Sequence, residues 1–144
     1  NAPLPRNAAA ADSAAVLRKG RILVAEDNHI NQLVAGHMLK KLGDESDIVV
    51  NGVEALRAME GARYALVLMD SHMPEMDGFE ATAAIRAMGG RFKDVPIVAL
   101  TADAMIGDLE KGLESGMNDY LSKPISLNAL ERVLAHWLPE DAGA

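Results

Sequence analysis

The chain has 144 residues, 21 of them acidic and 14 basic, which gives a formal net charge of −7, and it contains no cysteine. This length suits one domain with its own core rather than two. The acidic balance argues against a nucleic-acid surface, no apolar run nears the ~18 residues of a membrane span, and disulfides and thiolate metal sites are excluded.

Residues 1–19, NAPLPRNAAAADSAAVLRK, are rich in Ala with two early prolines. They read as a linker or a partly helical extension, without the apolar core of a signal peptide. Because the chain opens on Asn, it reads as a piece of a longer protein, with residues 20–139 as the domain and 140–144 as a tail. The absence of cysteine fits a reducing compartment, and the cytoplasm is the expected location.

From Arg21 onward, short β-branched runs alternate with stretches of helical period, the pattern of a parallel sheet covered by helices on both faces. RILVA (Arg21 to Ala25) is the first strand. In the helix from Asn28 to Gly43, Ile30, Leu33, Val34, Met38 and Leu42 recur at helical spacing. Lys40 and Lys41 suit the negative end of its dipole, and Gly43 can take the left-handed cap. SDIVV (Ser46 to Val50) is the second strand, and Asn51-Gly52 turns into a helix with Val53, Leu56 and Met59 on one face.

YALVLM (Tyr64 to Met69) is the third strand, running up to Asp70. Asp77 and Glu80 form a capping-box pattern for the third helix, which Gly89 to Phe92 end as a loop. VPIVAL (Val95 to Leu100) is the fourth strand, with Pro96 near its start where a missing amide hydrogen does little harm, and Thr101 at its end. The fourth helix, Ile106 to Ser115, carries Gly107 and Gly112 and is expected to be the least rigid. DYLS (Asp119 to Ser122) is a short fifth strand leading into Lys123 and Pro124. Ser126 caps the last helix, which runs through Leu127, Leu130, Val133, Leu134, Trp137 and Leu138 until Pro139 stops it.

In such sheets the working residues lie outside the carboxyl ends of the strands. Those ends deliver Glu26, Asp27, Asp70, Thr101 and Lys123. Singly, each has an ordinary explanation, since carboxylates partner helix N-termini, threonine caps helices and lysine is commonly solvated. Together they do not. Carboxylates within ~4 Å repel by ~4 kcal/mol per pair at an effective dielectric of 20, so a cation belongs among them, and an oxygen-only donor set favours Mg²⁺ or Mn²⁺. A hard cation, a lysine and a hydroxyl suit a phosphoryl group, and Asp70 is the candidate nucleophile that would carry it as an aspartyl phosphate.

The motifs ILVAEDN, LVLMDSHMPEMDG, PIVALTA and NDYLSKPI stand in the order and at the spacings of a response-regulator receiver domain of two-component signalling, which Gly20 to Leu138 resembles throughout. The resemblance implies a flavodoxin-like, doubly wound (βα)5 fold with strand order 2-1-3-4-5. It implies that Asp70 is the phosphoacceptor, that Asp27 ligates Mg²⁺ directly with Glu26 acting mainly through water, and that His72 offers its backbone carbonyl. It further implies that Thr101 is the switch hydroxyl, Lys123 the ion-pair partner of the phosphoryl group, and Tyr120 the aromatic that changes rotamer. Ala102 leaves access to the site, and the peptide before Pro124 is cis in many relatives.

EDNHINQLVAGHMLKKLG, MDSHMPEMDG and GMNDYLSKPIS are most similar to receivers fused to the C-terminal side of hybrid sensor histidine kinases. The implied partner is a histidine kinase or histidine phosphotransfer domain, with no nucleic-acid or membrane contact by this domain, and a phosphorylation-dependent dimer is compatible with the family. Ser71, His72 and Asp103 stand where the family tunes phosphoryl lifetime. Two other readings compete: an aspartyl-phosphate hydrolase of haloacid dehalogenase type, which would want a second Asp where His72 stands, and a receiver-like module that only docks.

Overall fold

The computed structural model describes residues 21–102 and 106–138. Its strands are β1 (Arg21–Ala25), β2 (Glu45–Val49), β3 (Leu66–Asp70), β4 (Ile97–Thr101) and β5 (Asp119–Ser122). They alternate with helices α1 (His29–Lys41), α2 (Gly52–Gly61), α3 (Gly78–Ala87), α4 (Ile106–Ser115) and α5 (Leu127–Trp137). All neighbouring strands pair in parallel in the order β2-β1-β3-β4-β5, the flavodoxin-like arrangement expected. No helix among the described residues is long and apolar enough to cross a membrane.

Side chains of a strand alternate between faces, so the central strands feed two cores. Leu23, Ala25, Val67, Met69 and Ile97 pack with Ala55 and Met59 of α2 and Phe79 and Ile85 of α3. Ile22, Val24, Leu68, Val98 and Leu100 pack on the other face with Leu39 of α1 and Leu130 and Val133 of α5. The register fixes what emerges at the carboxyl edge: Ala25 lies beside Met69, Asp70 beside Leu100, and Thr101 beside Ser122. The ends of β1, β3, β4 and β5 therefore open onto one rim.

Several local expectations shift. β2 begins and ends one residue earlier than the apolar run suggests, because Val50 turns its amide to the Glu54 carboxylate instead of the ladder. β3 starts at Leu66 and includes Asp70, since Tyr64 leaves the strand line to donate its hydroxyl to Asp47. Gly90–Lys93 forms a turn of 3₁₀ helix rather than a plain loop, tied down where Arg91 donates to the Met59 carbonyl. Ile30, Leu33 and Val34 of α1 are exposed, and the helix packs instead through Ala35 and Leu39 with Met38 and Leu42 at the margin. The readings of residues 1–20, Asp103 and Pro139 lie outside the described residues.

The helix ends follow their capping chemistry. Asp77 accepts from the Glu80 amide while the Glu80 carboxylate accepts from the Asp77 amide, closing the capping box that starts α3. Ser126 caps α5 through the Ala129 amide, and Gly43 takes the left-handed conformation after α1.

Arg86, near the end of α3, was not singled out by the sequence. Its guanidinium donates to the carbonyls of Phe92, Val95 and Gly116 and to Asn118 Oδ1, which also accepts the Ile97 amide. One half-buried side chain thus joins α3, the entry to β4 and the turn into β5. An Arg86→Ala substitution strands these carbonyls, so it is expected to lower stability by about 3 kcal/mol, read as a lower denaturant midpoint at unchanged slope.

Candidate functional site

β3 is buried along its whole length, so Asp70 at its end is carried into a place where only 4% of its surface is exposed. Glu26, just past β1, is 1% exposed. Lys123, just past β5, closes the gap: its Nζ lies 2.9 Å from Glu26 Oε1 and 3.1 Å from Asp70 Oδ1. Its amide donates to the Thr101 carbonyl at 2.8 Å, and the following Lys123–Pro124 peptide is cis. Burial alone would make both charges costly, and the ammonium offsets part of that cost for the carboxylates beside it.

Glu26 is fixed further, since its Oε2 accepts the Asn28 amide and its carbonyl accepts Gln32 Nε2. Asp27 faces solvent, yet one of its oxygens joins oxygens of Glu26 and Asp70 in a set lying within 4.8 Å of one another. Three carboxylates against one lysine leave the rim negative. Burial, with the Glu26 charge added, pushes the Asp70 carboxyl up to about 7 despite Lys123 and the His72 amide. Burial pulls the Lys123 pKa down, but Glu26 and Asp70 outweigh it and hold the ammonium above its usual range. A crowded, oxygen-only acidic set of this kind suits a hard divalent cation.

The loop after Asp70 is built to hold it still. Ser71 is buried, with its amide on the Leu100 carbonyl and its own carbonyl accepting the Gly78 amide. A Cβ on Gly78 would sit 2.2 Å from the Asp70 carbonyl oxygen, and one on Gly52 would sit 2.6 Å from that of Met76. Both positions demand glycine for close backbone approach. Glu75, between them, takes a left-handed φ of 70°. Gly78→Ala is therefore expected to push Asp70 out of register with Lys123 and to slow the phosphoryl uptake expected of it by about tenfold to a hundredfold, measured as a rate.

The remaining predicted residues divide. Thr101 is buried at the end of β4, and Ala102 beside it is exposed. Tyr120 is 42% exposed, and behind it lies a cavity of about 240 Å³ lined by Ser71, Ala99, Thr101, Leu109 and Met117. His72 donates its amide to Asp70 Oδ1 at 3.2 Å, while its exposed ring stands outside the acidic set, 3.8 Å from Asp108. Glu26, Asp27, Asp70 and Lys123 thus converge, Thr101 flanks them, and Tyr120 looks outward over an empty space. Sequence reasoning put Gly52 at a strand-to-helix turn and Gly78 at the start of a helix without foreseeing the close backbone approach each makes.

The family model described as response regulator receiver domain matches residues 22–135. Sensor protein GacS of Pseudomonas syringae pv. syringae is 43% identical over 122 residues, covering 83% of this chain and 14% of that protein. Hybrid signal transduction histidine kinase G of Dictyostelium discoideum is 41% identical over 121 residues, covering 83% of this chain and 4% of that protein. The chain thus spans a small part of the length of the curated relatives it matches. Among solved structures, the receiver domain of sensor histidine kinase PA1611 from Pseudomonas aeruginosa PAO1 is 45% identical with a TM-score of 0.77, covering 83% of this chain and 97% of that one. That domain holds a magnesium ion coordinated in its active-site cleft. A chain from the co-crystal of the Saccharomyces cerevisiae histidine phosphotransfer protein Ypd1 with the receiver domain of Ssk1 is 35% identical with a TM-score of 0.75, covering 82% of this chain and 88% of that one.

Proposed function

The chain belongs to the response regulator receiver domain family, and from that premise we propose that Asp70 accepts a phosphoryl group from a phosphohistidine on a partner domain. The observation that carries this reading is the lysine bridge, Lys123 spanning Asp70 and Glu26 at the mouth of a buried strand. An Asp70 carboxylate oxygen attacks phosphorus, the P–O bond forms as the P–N bond breaks, and the donor imidazole leaves with the electron pair and picks up a proton. Lys123 neutralises charge on the arriving group, and the Thr101 hydroxyl turns toward a phosphoryl oxygen. Tyr120 then enters the cavity behind it, which alters the face made by α4, β5 and α5.

Glu26, Asp27 and Asp70, with the His72 carbonyl, are the groups that would hold Mg²⁺, and the crowding of their oxygens within 4.8 Å supports that role. Such a cation supplies positive charge to the peripheral phosphoryl oxygens. A histidine phosphotransfer protein is the natural donor, by analogy with the Ypd1 and Ssk1 pair. The similarity to GacS supports a parent that is a hybrid sensor histidine kinase, with this domain on its cytoplasmic side.

The test is incubation with a phosphorylated histidine phosphotransfer protein or with phosphoramidate. A hydroxylamine-sensitive phosphate is expected on the chain, at a rate that falls at least about a hundredfold when EDTA removes the metal. A hydroxylamine-resistant phosphate, or uptake indifferent to EDTA, contradicts the reading.

A further inference from the structure

His72 touches the candidate site and the helix beside it at once. Its amide donates to Asp70 Oδ1, and its ring lies 3.8 Å from Asp108 Oδ2 in the first turn of α4. The same ring stands edge-on to Phe79, with centroids 6.0 Å apart and planes at 77°. Phe79 is buried at the start of α3, and α4 reaches over it. Lys111 Nζ lies 4.8 Å from the Phe79 ring centroid, and the position of a Cβ on Gly112 would be 3.8 Å from the ring.

Asp108, Lys111 and Gly112 are spaced i, i+3 and i+4, so they share one face of α4. On that face Asp108 lies beside the imidazole and Lys111 over the phenyl ring, while Gly112 lies against both Met117 and Phe79. Asp108 and Gly112 also border the cavity that Thr101, Tyr120, Leu109 and Met117 line. The contact through His72 is one that begins at the Asp70 carboxylate itself.

We propose that His72 is a positioning residue that ties the unmodified Asp70 carboxylate to α4 through the Asp108 and Phe79 contacts, and that modification of Asp70 releases this tie. The proposal rests on the reading of Asp70 as acceptor. When a phosphoryl group is attached, the carboxylate becomes an acyl phosphate whose remaining carbonyl oxygen is a weaker acceptor for the His72 amide, so that one anchor of the ring loosens while the Ser71 and Gly78 backbone bonds persist. The ring moves with the loop, Asp108 loses its partner, and the first turns of α4 open. An exposed polar contact at 3.8 Å and an edge contact are each weak, so the tie biases the helix by a modest factor and is easily reversed.

Amide hydrogen exchange at residues 110–115, in the whole chain, tests this. Without any phosphoryl mimic, His72→Ala and Asp108→Ala are each expected to speed exchange there about three- to tenfold, and the double variant no more than either alone. Exchange in α5 should stay unchanged. With Mg²⁺ and beryllofluoride, exchange in the unaltered chain should rise to the level of the variants, and the variants should rise little further. Additive effects of the two substitutions, unchanged exchange in His72→Ala, or an equal response to beryllofluoride in His72→Ala and the unaltered chain would each overturn the proposal. If beryllofluoride leaves the signals of residues 70–72 unmoved, the acceptor reading itself fails, while the comparison of the unmodified variants still decides whether the contact exists.

Discussion

Replacing Asp70 by Asn is expected to remove phosphoryl uptake altogether, a loss of at least about a thousandfold, because the amide is a poor nucleophile and nothing else on the rim can take its place. Glu26 is held by Lys123 and the Asn28 amide, and Asp27 stands in solvent at the end of another strand. The measurement is incorporation of hydroxylamine-sensitive phosphate from phosphoramidate. The same variant carries a second, opposite signature in stability. The folded Asp70 carboxyl sits near 7, above its ordinary 3.8. Its proton is bound more tightly in the folded state, so the stabilisation this gives is complete below about pH 4 and is lost as pH rises through 7. At pH 8 without divalent cation the unaltered chain bears the full cost of the buried carboxylate. Asp70→Asn is expected to be more stable there, by on the order of 1–3 kcal/mol, with the difference shrinking as the pH falls to 5. Mg²⁺ should stabilise the unaltered chain and barely affect the variant, as a thermal melt with and without the ion will read.

Lys123→Ala is the other large effect. The ammonium is the one positive group bridging Asp70 and Glu26 among the described residues, and both carboxylates are almost fully buried. Its loss leaves them facing each other without compensation, which costs about 3 kcal/mol of stability at pH 8. Near pH 5 the penalty should be smaller, because Asp70 is then protonated and needs no partner. Phosphoryl uptake should slow about a hundredfold even where the protein is fully folded, since charge developing on the transferred group loses its nearest cation. A uniform stability loss from pH 5 to 8 would show that Lys123 acts through packing rather than charge.

The site was legible from the sequence wherever topology alone places a residue. Glu26, Asp27, Asp70, Thr101 and Lys123 each follow or end an apolar strand, and parallel strands deliver their ends to a common edge. Side-chain state was less legible. Ile30, Leu33 and Val34 have the spacing of a buried stripe, yet it is Ala35 and Leu39 that face the core and leave these three outside. The contacts that depend on distant partners left no local mark. Arg86 reads as an ordinary charge near a helix end until the carbonyls of Phe92, Val95 and Gly116 are seen to surround it. Asp108 and His72 are separated by 36 positions and gave no hint of their pairing. Strand ends slipped by a residue or two where a side chain captured a backbone amide, as Glu54 does at Val50.

The 2.2 Å between a hypothetical Gly78 methyl and the Asp70 carbonyl also sets a tolerance for anyone rebuilding this chemistry elsewhere. Grafting the three carboxylates and the lysine onto another parallel sheet would reproduce the charges but not the depth at which Asp70 sits. That depth is defined by how closely the incoming helix can press on the strand end, so the transplantable unit is the strand, its loop and the first residue of α3 together. A graft that keeps every charged group and changes only that glycine would hold the other acidic groups around a misplaced Asp70.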